Sequence, residues 1–115
     1  MENKEGRNII LELYKALDDK FAKDIVIMEI GELTPIADFF VIATGGNAPQ
    51  IAALAETAEK ILKPHGIRLH HTEGMRSGNW VLLDFGTIIL HLFDKETRDY
   101  YDLERIWRDA KTVTP

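Results

Sequence analysis

Two short stretches restrict this chain more than any others. Asp24-Ile25-Val26-Ile27-Met28-Glu29-Ile30 and Asp38-Phe39-Phe40-Val41-Ile42-Ala43-Thr44 are almost unbroken runs of apolar residues, many of them β-branched or aromatic. A strand with one wet face alternates apolar and polar side chains; a strand covered on both faces does not. The chain is therefore expected to place these runs as strands inside a sheet that carries cover on either side.

The flanking segments supply that cover. Ile10, Leu13, Tyr14, Leu17 and Phe21 recur at helical spacing and predict an amphipathic helix over about residues 5–19. Gly31 to Pro35 turns the chain between the two strands. After the second strand, Gly45-Gly46-Asn47-Ala48-Pro49-Gln50 reads as a helix start: Asn47 is an N-cap, Pro49 suits the first turn, and Gln50 stands three residues after the cap as in a capping box. Ile51, Leu54, Ala55, Ala58 and Leu62 form its apolar stripe, and Pro64-His65-Gly66 ends it.

Ile67 to Thr72 reads as a third strand, so that strand, helix and strand form a right-handed parallel crossover. Asn79–Asp84 and Thr87–Phe93 are two further strands joined by a tight turn at Phe85-Gly86. Tyr100, Leu103, Trp107 and Ala110 predict a last helix over about 97–109, and Lys111 to Pro115 reads as a loose tail. The expected fold class is α/β: a single domain of 115 residues with a mixed five-stranded sheet and flanking helices.

The last hairpin sorts its side chains without further help. With Phe85-Gly86 at the tip, Asp84 pairs with Thr87, Leu82 with Ile89 and Trp80 with His91. One face then carries Trp80, Leu82, Asp84, Thr87, Ile89 and His91; the other carries Val81, Leu83, Ile88, Leu90 and Leu92. The aliphatic set must face the helices. The mixed set, with an indole, aliphatics and a polar edge, has the composition of a protein interface. The competing view closes Trp80 into a second small core under the last helix.

Met75 and Arg76, in a glycine-bounded loop, are secondary contact candidates. Trp107 and Leu103 share a stripe and are expected in the core. Tyr100 and Tyr101 cannot share one helix face, so one is expected buried and the other at the surface. Arg98 either anchors the start of that helix or reaches a partner, and the residues leave both open.

Several function classes are disfavoured. The net charge of −5, from 14 basic and 19 acidic residues, opposes unaided binding to a phosphate backbone. It suits docking on a basic protein, with Glu73, Asp84 and Asp102 steering the encounter. There is no cysteine, hence no disulfide, thiol nucleophile or cysteine-based metal site. This composition and the mixed-charge start Met1-Glu2-Asn3-Lys4-Glu5-Gly6-Arg7 point to a cytoplasmic protein without a membrane span.

Gly45-Gly46 before a helix could cradle a phosphate. A nucleotidyl-transferring enzyme, the alternative reading, would also need paired carboxylates on the following strand, where the chain has Ile67-Arg68-Leu69-His70-His71. His70 and His71 point to opposite faces, and His71 with Glu73 makes only two ligands. No catalytic residue, metal or cofactor is expected.

Four stretches together resemble the ribosomal silencing factor family (RsfS, Iojap-like): Asp38 to Gly45; Glu73-Gly74 followed by Asn79 to Gly86; His91-Leu92-Phe93; and Arg98 to Trp107. The likeness runs over about residues 5–110. It implies a fold related to nucleotidyltransferases without their catalytic residues. It also implies a partner, the uL-series protein fourteen of the large ribosomal subunit, whose occupation blocks subunit joining and represses translation. Ribosomal RNA would be at most a secondary contact, and the free protein is expected to form a weak homodimer. Phe85-Gly86-Thr87 stands where relatives commonly carry an aromatic, a glycine and an aspartate. The residues expected at the partner surface are Trp80, Leu82, Asp84, Ile89, His91, Met75, Arg76, Arg98 and Tyr101.

Overall fold

The computed structural model describes residues 3–115; Met1 and Glu2, the beginning of the mixed-charge start, lie outside the described residues. Helix α1 (Asn3–Asp19) buries Ile10, Leu13 and Leu17 of the expected stripe and leaves Tyr14 half-buried, while Ile9, outside that stripe, is buried as well. Phe21 does not join them. The helix closes one residue earlier, with Phe21 N bonded to Asp18 O (2.9 Å) and Ala22 N to Leu17 O (3.1 Å). This is a Schellman closure, and Phe21 takes its left-handed position (φ 68°) with 77% of its surface exposed.

Strands β1 (Lys23–Glu29) and β2 (Phe39–Thr44) follow, then helix α2 (Ala48–Leu62) and a 3₁₀ turn at Lys63–His65. The start of α2 behaves as its residues predict. Asn47 Oδ1 accepts from Gln50 N at 2.8 Å. Gln50 does not return to the Asn47 N–H as in a reciprocal box: its Oε1 accepts from Gly46 N, and its Nε2 donates to the carbonyls of Lys20 (3.3 Å) and Phe21 (3.1 Å). It thereby fastens the start of α2 to the end of α1. Gly45 is required by proximity, because a Cβ there would lie 2.6 Å from Ile51 Cγ1.

The chain continues through β3 (His71–Glu73), β4 (Trp80–Asp84), β5 (Ile88–Phe93), α3 (Lys95–Tyr101), α4 (Leu103–Ile106) and β6 (Lys111–Thr112). The six strands form one sheet in the order β3-β4-β5-β2-β1-β6. Only β2 and β5 pair in parallel; the other neighbours are antiparallel. Both strands of that central pair are buried throughout, as near-continuous apolar runs require.

Four expectations need correction. The sheet has six strands rather than five, because the tail pairs Lys111 and Thr112 with Glu29 and Met28 and buries Val113. The third strand is three residues long, because its ladder with β4 spans only His71 to Glu73. It runs in the same direction as β2 but is separated from it by β4 and β5, so the parallel partner of β2 is β5. The last helix is broken at Asp102, whose φ of 48° divides α3 from α4. Aspartate tolerates this conformation better than most residues.

Two cores result. The larger lies between the sheet and the two long helices and includes Leu13, Ile27, Val41, Leu54, Val81, Leu83 and Leu90. The smaller lies on the opposite face. It holds Met28, Ile30, Phe40, Ile42, Ile89 and Phe93, with Leu103, Trp107, Trp80 and Leu82 half-buried at its margin.

Candidate docking face

The β4–β5 hairpin keeps the expected faces in a different register. Gly86 and Thr87 stand at the tip: Phe85 N bonds to Ile88 O at 2.9 Å, and Gly86 adopts φ 85° with its N–H on Asp84 Oδ1 (2.8 Å). The turn is thus one residue later than expected. Asp84 pairs with Ile89, Leu82 with His91 and Trp80 with Phe93. Moving the turn by one shifts each partner by two, so every side chain stays on its predicted face. Val81 and Leu83 are buried against the helices, while Trp80, Leu82 and Asp84 are half-buried on the other side.

Trp80 is the hub of that second face. It stacks on Phe93 (centroids 5.0 Å apart, planes at 29°) and meets the Tyr101 ring at 4.5 Å. Its indole Nε1–H donates to His91 Nδ1 at 3.2 Å. His91 meets the Phe40 ring in an edge contact at 5.2 Å, and Phe40 meets Trp107 likewise at 5.1 Å. An aromatic series therefore runs from α3 across the sheet to the residues after α4. The pairing of β3 with β4 sets His71 beside Asp84 and Glu73 beside Leu82, so the polar margin is the exposed pair His71–Glu73 (3.2 Å).

The predicted residues divide into three groups. Trp80, Leu82 and Asp84 line the face half-buried, and Met75, Arg76 and Tyr101 are exposed, with Tyr101 packed on the indole. Ile89 and His91 are only 8% and 5% exposed and support the face from beneath, so their role as direct contacts is corrected. Arg98 is buried as well. Its Nη1 donates to Thr44 Oγ1 (2.8 Å) and to the Asp24 carbonyl, and its Nε lies 3.4 Å from Glu104 Oε1. Of the two roles left open for it, the anchor is the one the geometry supports.

Tyr100 and Tyr101 are both exposed, at 81% and 46%, against the expectation that one would be buried. The helix ends at Tyr101, so no second turn packs over either ring. Ile106 (67% exposed) lines a hollow with Tyr100 and Tyr101, and neither it nor Tyr100 was among the predicted contacts. Their signal was the apolar excess of the last helix beyond what one stripe needs. Trp107 is half-buried rather than fully in the core.

Burial lowers the His91 pKa from 6.5 to about 4, so the ring is neutral near pH 7. Among the described residues, no group of three or more His, Cys, Asp or Glu side chains could hold a metal ion. No helix among them is long and apolar enough to cross a membrane.

Residues 3–115 match the family model described as ribosomal silencing factor during starvation, RsfS. The chain belongs to the RsfS family. It is 40% identical over 98 residues to the ribosomal silencing factor RsfS of Halalkalibacterium halodurans, covering 85% of this chain and 84% of that one. It is similar to a crystal structure of a Chromobacterium violaceum protein, with TM-score 0.82, 36% identity, and coverage of 93% of this chain and 87% of that one. It is also 30% identical over 98 residues to the mouse protein called mitochondrial assembly of ribosomal large subunit protein 1, spanning 83% of this chain and 43% of the mouse protein. An RsfS chain has a ribosome-associated role in silencing translation, and the face around Trp80 has to be weighed in that light.

Proposed function

We propose that this RsfS chain docks on the uL-series protein fourteen of the large ribosomal subunit through the face around Trp80. From there it blocks subunit joining by its bulk, and translation is repressed. The observation that carries this reading is a part-exposed indole set among apolar side chains with a polar margin, the arrangement of an interface centre. Contacts come from Trp80, Leu82, Asp84, Met75, Arg76 and Tyr101. The large-subunit wording in the name of the mouse relative supports the choice of subunit. The net charge of −5 favours a basic protein over ribosomal RNA, which is at most a secondary contact. The place of action is the cytoplasm, and the whole chain acts as one domain of a nucleotidyltransferase-like fold put to binding use.

Co-sedimentation with separated ribosomal subunits tests the reading. Wild-type protein should travel with the large subunit and not the small one. Trp80→Ala should weaken retention by roughly 30- to 1000-fold, the range for losing an aromatic anchor worth about 2–4 kcal/mol. Retention of that variant at wild-type strength would remove Trp80 from the interface. In the absence of its partner the same face and its exposed neighbours support a weak homodimer.

A further inference from the structure

We propose that His91 is a positioning residue for Trp80: it holds the indole by its N–H so that the ring meets the partner in one fixed orientation. The inference rests on the docking role of Trp80 proposed above and adds a residue that does not itself touch the partner.

The geometry makes the case. His91 is 5% exposed and lies diagonally across the hairpin from Trp80, because its own register partner is Leu82. From there Nδ1 accepts the indole N–H at 3.2 Å. An imidazole that accepts at Nδ1 and is neutral carries its proton on Nε2. That Nε2 is buried and has no hydrogen-bond partner among the described residues. An unpaired buried donor is costly, and a leucine in the same place would avoid the cost. A side chain that weakens the core is retained where it does something an apolar one cannot.

What it can do is select a rotamer. Trp80 sits half-buried on a strand, where χ1 values near 180° and −60° are both ordinary. Stacking on Phe93 fixes the plane of the indole, and the bond to His91 fixes which edge points inward. The N–H is thereby used inside the monomer. The part-exposed ring offers a partner no donor at Nε1, so the matching pocket has to be apolar there and needs no acceptor.

The test compares wild type with His91→Leu and His91→Asn. Leucine fills the space without an acceptor; asparagine places Oδ1 the same number of bonds from Cβ as Nδ1. A purely structural role ranks the leucine variant first in everything. Positioning predicts a crossed order, with leucine the more stable to denaturant and asparagine the better retained on large subunits. Against wild type, His91→Leu should speed exchange of the Trp80 indole proton and weaken retention by roughly 3- to 10-fold each, the value of one hydrogen bond. If His91→Leu is retained as strongly as wild type while Trp80→Ala is lost, positioning is overturned and the docking role stands. If Trp80→Ala is retained too, the docking role itself has failed. The unmodified protein gives an independent check: nitrogen shifts of His91 should report the proton on Nε2, and a proton on Nδ1 would end the proposal even if neither variant folds.

Discussion

Single residues on the second face set conditions that its composition does not reveal. His91 is the clearest, since burial holds its pKa at about 4 against 6.5 in an open chain. The unfolded chain then takes up a proton between those values while the folded one does not. The stability tied to neutral His91 is complete above about pH 6.5 and is lost progressively as the pH falls to about 4, amounting to about 3 kcal/mol. In denaturant titrations the advantage of His91→Leu over wild type should widen as the pH is lowered through that window. Parallel curves would show that the imidazole is not desolvated. Arg98 is the other residue whose role came only from the fold. Its guanidinium reaches Thr44 and Asp24, which are 54 and 74 positions away in the chain, and no local pattern announces such a bond.

At the scale of elements, the closing turn of α1 yields a second prediction. Phe21 occupies a left-handed position usually given to glycine, and its side chain is 77% exposed. Phe21→Gly should raise stability by about 0.5–1 kcal/mol, because the relief of left-handed strain exceeds the added chain entropy. Thermal unfolding measures it, and a drop would mean the ring packs on something in solution. The central strands and the cap of α2 follow from local chemistry: continuous apolar runs, and Asn47 three before Gln50. The hairpin faces were legible because alternation survives a two-residue shift of partner, whereas the register was not, because Phe85 is held in the larger core and pushes the turn onto Gly86-Thr87. The break at Asp102 and the strand β6 stayed hidden. Both depend on distant partners: Leu103 and Trp107 settle on the core around Phe40, and Lys111-Thr112 uses the free side of β1.

For the whole molecule, the division into two cores is what leaves a surface to use. Two long helices cover one side of the sheet, while α3, α4 and the residues from Trp107 to Ala110 cover the other only in part. Tyr100 and Ile106 stay exposed beside Tyr101, at the margin of that cover. Light scattering of the free protein should therefore show a concentration-dependent dimer that dissociates when Ile106 and Tyr100 are both replaced by aspartate, and a strict monomer at high concentration would contradict it. The sheet itself stops in two stubs, three residues of β3 at one border and two of β6 at the other. An incoming extended peptide would find few free rungs there on which to lengthen the ladder. On the docking role proposed for the face around Trp80, a molecule made to block it would have to copy a patch of the partner's surface, not a strand.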